Sequence, residues 1–329
     1  MTRLPKILVF ALALSLLWAC YSAAEVTYSN PQDSASYQWL IEFKTSEAKL
    51  QLTMRYQRQG ERGFSYSNTG FGVTLDQLVG LTREQVLSAS GNNVSFQLKR
   101  DAGTFNFEGW FREGNGSGHF TFSPNSSFAN ELARQGFGKP TDDQLLSLAM
   151  SDTGFAFINE LKAQGYDTST VEQLVRMGNH GVKLEYLQGL KSLGYSVKTT
   201  DQVVRMKDHG VSLHFIREFT ALGYSNLSPE ELIRAKDHGV STDFVNELKD
   251  LGYARLSLEE LVRMKDHGVS AAFVKELKDI GYSNTSTEQL VRLKDHGVSA
   301  AYIRRMKERG YGDLSLDEFI RLRDRGERE

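Results

Sequence analysis

Residues Leu258–Ser286 read LEELVRMKDHGVSAAFVKELKDIGYSNTS, and nearly the same text returns every 29 residues. His-Gly falls at His180-Gly181, His209-Gly210, His238-Gly239, His267-Gly268 and His296-Gly297. Glycine followed by an aromatic falls at Gly136-Phe137, then before Tyr166, Tyr195, Tyr224, Tyr253, Tyr282 and Tyr311. A fixed period of roughly 20–50 residues marks a stacked array, in which no unit buries its apolar face alone.

Each copy carries start and stop signals for two short helices. The first, helix A, opens at Thr141, Thr170, Thr199, Ser228, Ser257, Ser286 and Ser315. Three residues on stand Gln144, Gln173, Gln202, Glu231, Glu260, Gln289 and Glu318. That is the capping box, in which hydroxyl and N3 side chain satisfy otherwise orphaned N–H groups. Helix A is expected to stop at Gly181, Gly210, Gly239, Gly268, Gly297 and Gly326, because the residue past a helix end favours positive φ. A valine after most of these glycines can meet the Met, Ala or Leu four residues before them, as a Schellman ending requires. Helix B starts at Ser212, Ser241, Ser270 and Ser299, with Lys183, Gly154 and Asn125 at that phase in earlier copies, and stops at the Gly-aromatic pair. Its apolar positions (Phe273, Val274, Leu277, Ile280) form one helical stripe. Helices this short are marginal in water, so they must stack on their neighbours. The reading is an α-solenoid over residues 125–329, beginning at Asn125 with no linker before it.

Upstream the period changes. Residues 37–124 alternate apolar and polar, most clearly in Thr104–Phe111 (TFNFEGWF), as half-buried strands do. Further runs are Gln38–Phe43, Leu50–Tyr56, Phe64–Ser67, Val94–Leu98 and His119–Phe122. Breaks are expected at the glycine-rich stretches 70–72, 101–103 and 114–118, and one helical piece over Leu75–Ser90. The expected fold class is therefore α+β: a small antiparallel β domain, then an α-solenoid of two-helix repeats. Residues 25–36 read as a polar linker. Residues 1–24 carry Arg3 and Lys6, an apolar run Ile7–Trp18 and then small residues, the pattern of a signal peptide. That run is shorter than the roughly 20 residues needed to span a bilayer. Cys20, the single cysteine, lies in LLWAC. It is a lipoprotein-type lipidation candidate, and cleavage after Ala24 is the alternative.

The chain has 329 residues, 24% charged, with formal net charge −2, so it lacks the basic excess of a nucleic-acid binder. With one cysteine it has neither a disulfide nor a cysteine metal site. No phosphate loop, Gly-x-Ser-x-Gly elbow or metal-ligand cluster is present, so no enzymatic activity is expected and no cofactor is implied.

Rows at one phase remain as candidates. His180, His209, His238, His267 and His296 could bind metal or respond to protons, or simply close helix A against its last carbonyls. A metal shared between copies would need a carboxylate from the neighbour, such as Asp266. Arg176, Arg205, Arg234, Arg263, Arg292 and Arg321 could form a basic strip. An acid stands four residues before each, however, the favourable orientation for pairing within one helix. The tyrosine row is expected at the helix B stops. Trp39 and Trp110 are expected in the core, and His119 and His214 are off-phase.

Residues 75–329 resemble a repeat module of bacterial envelope proteins, on Leu75–Thr82, Asp101–Phe107, Phe120–Asn125 and each HGV and GY pair. The module also occurs behind the membrane domain of regulatory metallopeptidases related to β-lactam sensors, whose H-E-x-x-H motif is absent here. The resemblance implies location in the cell envelope and a sensing or partner-binding role. The expected function is an exported, non-enzymatic scaffold in the periplasm or attached to the outer membrane, with a protein or peptide partner and no nucleic acid. A ligand-, metal- or pH-responsive module is the alternative.

Overall fold

The computed structural model describes residues 37–43, 49–60, 63–312 and 314–326, with 57–60 and 63–66 through their backbone only. The expected signal peptide 1–24 with Cys20 and the expected linker 25–36 lie outside the described residues. The chain divides into two compact units, Met1–Asn125 and Ser126–Glu329. Among the described residues no helix is long and apolar enough to cross a membrane.

The first unit is a seven-stranded antiparallel half-barrel: β1 (Gln38–Glu42), β2 (Leu50–Gly60), β3 (Gly63–Val73), β4 (Leu78–Val79), β5 (Asn92–Arg100), β6 (Gly103–Arg112) and β7 (Asn115–Pro124). The order across it is β3-β2-β1-β7-β6-β5-β4, so β1 closes onto β7 through Leu40↔Ser117. Strand alternation sends Trp39, Ile41, Leu52, Met54, Phe96, Phe105, Phe107, Phe111 and Phe120 to the buried face. Gly109 and Gly118 sit opposite each other on that face. A Cβ on Gly118 would lie 2.0 Å from the Glu108 carbonyl, so a side chain there would force the two strands apart.

Three expectations are corrected in this unit. The glycines at 70–72 do not break a strand; Gly70 and Gly72 sit within β3, opposite Thr53 and Gln51. Of the stretch 114–118 only Gly114 belongs to the turn, Glu113-Gly114 with φ of 50° and 83°, and residues 115–118 run inside β7. Leu75–Ser90 is not one helix. It is a 3-10 turn (Leu75–Gln77), then β4 paired with β5, then the short helix α1 (Arg83–Leu87). Gly80 at φ 97° separates them, and Thr82 with Gln85 forms a capping box that starts α1 late.

The second unit contains two rows of helices. The B row is α2 (Ser126–Arg134), α4 (Phe155–Gln164), α6 (Leu184–Ser192), α8 (Leu213–Ala221), α10 (Thr242–Asp250), α12 (Ala271–Asp279) and α14 (Ala300–Glu308). The A row is α3 (Asp142–Ser151), α5 (Val171–Asn179), α7 (Thr200–Asp208), α9 (Pro229–Asp237), α11 (Leu258–Asp266), α13 (Thr287–Asp295) and α15 (Leu316–Asp324). From α3 onward each helix packs on the helix two places on, A upon A and B upon B, which is the α-solenoid read from the period.

The local signals explain these boundaries. Every helix A has its expected Ser or Thr as N-cap, accepting from the N3 backbone N–H. The reciprocal bond is made everywhere except at Thr199, where Gln202 does not reach back. At the far end Val211 N–H donates to Met206 O at 2.9 Å and Gly210 N–H to Lys207 O at 3.0 Å, the paired bonds of a Schellman motif. Helix B ends the same way, with Tyr253 N–H on Leu248 O at 2.9 Å. Met206, Met264, Leu248 and Leu277 are fully buried at these stops, so the caps also seat the core between repeats.

Candidate functional site: the charged rows and the outward face of helix B

The exposed side chains of helix A are tied to the next copy. Each repeat histidine places Nδ1 on the aspartate 28 residues on, at the end of the next helix A. His180 meets Asp208 at 2.6 Å, His209 meets Asp237 at 2.6 Å and His238 meets Asp266 at 2.5 Å. His267 meets Asp295 at 2.5 Å, and His296 meets Asp324 at 2.8 Å. The histidines are indeed the C-cap residues of helix A. Their rings, however, turn to a neighbour's carboxylate and not to their own last carbonyls. Among the described residues no group of three or more His, Cys, Asp or Glu side chains is placed to hold a metal ion. Each ring has one carboxylate partner, whereas zinc takes about four ligands.

The arginine row has the expected acids but different pairings. Arg176 binds Asp201, Arg205 binds Glu230 through two bonds of 2.8 and 3.0 Å, Arg234 lies 2.5 Å from Glu259 and Arg292 lies 2.8 Å from Asp317. Each partner stands 25 residues on, in the next helix A, and not four residues back in the same helix. The reason is geometric. Stacked A helices place the last turn of one beside the first turn of the next, where the acid also caps a positive dipole end. Contact with Arg234 lowers the Glu259 carboxyl below its ordinary range, and the same contact raises the Arg234 guanidinium. Among the described residues no ion pair joins Arg263 to Glu288.

Two further rows escape a reading of the sequence alone. Lys207, Lys236, Lys265 and Lys294 set their ammonium groups 4.2–5.1 Å from the rings of Tyr186, Phe215, Phe244 and Phe273, and Arg323 lies 5.0 Å from Tyr302. These cation–π contacts tie helix A to the preceding helix B. Both members recur at one phase, which is the signal that could have revealed them. The tyrosines of the Gly-Tyr pairs also reach forward: Tyr224 donates to Leu256 O at 2.6 Å and Tyr282 to Leu314 O at 2.8 Å, with Tyr253 on Thr285 O between them. Partial burial raises the phenols of Tyr224 and Tyr253. The Tyr166 and Tyr195 hydroxyls are both buried without a partner, so the forward bonds of this row begin at Tyr224.

Helix B presents a different surface. Its second position outward is Glu185, His214, Asp243, Ala272 or Ala301, and its fifth is Gln188, Arg217, Asn246, Lys275 or Arg304, all of them exposed. His214–Glu218 at 3.1 Å and Lys275–Asp279 at 2.7 Å close within one helix. Lys191–Glu160 at 3.7 Å crosses between B helices. Comparison of the chain with protein-family models, curated proteins and solved structures finds no match.

In the first unit Trp39 is buried as expected, its indole N–H donating to Glu108 O at 3.1 Å. Trp110 is not in the core; it is 49% exposed. Phe105, Phe107 and Phe111 take the inward phase of β6, so Trp110 shares the outer phase with Asn106 and Glu108.

Proposed function

We propose that the protein is a non-enzymatic, exported interaction scaffold of the bacterial envelope, presenting the outward face of its B helices to a protein or peptide. One observation carries this reading. The exposed charges of helix A repeat almost unchanged and bind neighbouring copies, whereas the outward positions of helix B change chemistry from copy to copy. Side chains that hold a solenoid together must be the same at each step. Positions that escape this requirement and remain exposed are free to match a partner. A near-neutral chain suits a polypeptide better than a polyanion. The leader pattern of residues 1–24, and Cys20 if it is lipidated, would place the scaffold at the envelope.

The test is crosslinking of the full chain in envelope preparations, comparing two triple variants. Arg217→Glu with Lys275→Glu and Arg304→Glu alters the outward face of helix B. Arg205→Gln with Arg234→Gln and Arg292→Gln alters the ties of helix A. The expected result is loss of crosslinked partner in the first variant and retention in the second, with both folded by circular dichroism. Retention in the first variant would overturn the assignment of the face.

A further inference from the structure

The outer face of the half-barrel carries a hollow of about 640 Å³ over strands β3, β2, β1, β7 and β6. We propose that it is a binding site for a neutral saccharide, with one sugar ring stacked on Trp110.

The walls are apolar and exposed. Trp110 on β6 and Leu40 on β1 are 49% and 45% exposed, in a unit whose other large apolar side chains are mostly buried. Both pair in register with Ser117 of β7, which lies between them. Strands two apart lie roughly 10 Å apart, so the small serine leaves a slot between indole and leucine wide enough for a six-membered ring. The next row across the sheet is polar: Glu108, His119, Gln38, Arg55 and Asn68 stand opposite one another in turn. A flat aromatic wall beside planar amide, imidazole and guanidinium groups suits a sugar, whose ring has one C–H face and a rim of hydroxyls. This division of labour, with apolar walls and a few convergent polar groups, is that of small-ligand sites in general.

Other occupants fit less well. An extended peptide adds to a sheet at an edge strand, but the hollow is centred on β1 and β7, whose backbones are paired on both sides. An anionic ligand would find a single guanidinium, that of Arg55, among lining groups that are mostly uncharged. A lining so dominated by amide, hydroxyl and apolar groups favours a ligand without charge. All the residues involved belong to the first unit, so the inference does not depend on the proposed role of helix B.

Trp39 and Trp110 are the only tryptophans after residue 24, and Trp39 is buried, so Trp110 dominates the solvent-sensitive emission. The experiment titrates the full chain without its leader with cellohexaose and, separately, with chitohexaose. Tryptophan emission and titration calorimetry are recorded together. The expected result is a saturable blue shift with at least one of the two, and a Kd weakened by more than about tenfold in Trp110→Ala. Because that variant removes the reporter with the contact, calorimetry reads its affinity. Asn68→Ala, which keeps the reporter, is expected to weaken binding without changing the melting temperature. Absence of heat and of spectral change with both saccharides overturns the proposal, as does an affinity unchanged in Trp110→Ala.

Discussion

Single positions in the loops set how sharply one helix turns into the next. Gly252 sits at φ 93°, and a Cβ there would meet only the end of the Lys278 side chain, at 4.0 Å. Any cost of substitution is therefore backbone cost alone. Gly252→Val should destabilise the array by about 1–2 kcal/mol, and more than Gly252→Asn, because an L-residue crowds its own carbonyl at positive φ. Chemical denaturation of the pair checks the order; equal midpoints would mean that the turn relaxes. Three residues on, Arg255 adopts φ 65°, and the same phase in the preceding copy is Asn226 at φ 71°. Asparagine enters this region far more readily than arginine. Arg255→Asn should therefore raise the denaturation midpoint, by a stabilisation of about 0.5–1 kcal/mol.

At the scale of the helix, one departure from the repeat has a packing cause. Gly178 stands in α5 where Lys207, Lys236, Lys265 and Lys294 stand in later copies. A Cβ at Gly178 would lie 2.3 Å from Ser151 Oγ. That hydroxyl is buried and held by Ser147 O at 2.9 Å and Thr153 Oγ1 at 2.8 Å, so it cannot swing away cheaply. The glycine and the serines of α3 are thus one matched set. Gly178→Lys restores the repeat consensus yet should destabilise by about 1–3 kcal/mol, the usual cost of overfilling a packed contact. A thermal melt that rises would show that α3 and α5 separate without penalty. Helix boundaries are legible in the sequence because their signals are local, such as Ser257 with Glu260 or Gly268 with Val269. Partners between copies are not. Glu259 stands four residues before Arg263 and also 25 after Arg234, and one-dimensional spacing cannot rank a neighbour in the same helix above one in the next. Trp110 misleads for a different reason. Its aromatic character suggests the core, although the alternation with Phe105, Phe107 and Phe111 already points it outward. The apolar residues of 75–90 likewise resemble one helical stripe until Gly80 and the Thr82 cap are given their due.

For the array as a whole, the repeated capping boxes become a repeated response to acid. Glu231, Glu260 and Glu318 accept from the backbone N–H and hydroxyl of Ser228, Ser257 and Ser315, and the backbone bond is the first cause that lowers each carboxyl from its ordinary value of 4.5. A carboxyl with a lower folded than unfolded pKa binds fewer protons when folded. Its contribution is therefore complete above about the unfolded value and is lost as pH falls through the folded one. The same sign holds at Glu259, which Arg234 lowers. The array should melt at nearly constant temperature on the neutral side of these carboxyls and progressively earlier below about pH 4.5. The chain itself offers the control, since Gln144, Gln173 and Gln289 make the same reciprocal bond without a titrating group. Replacing Glu231, Glu260 and Glu318 together with glutamine should leave neutral stability little changed and flatten the acid limb. A limb just as steep in the triple variant would assign the response to carboxyls outside these caps, such as Glu259 beside Arg234, and the caps would then be structural at every pH.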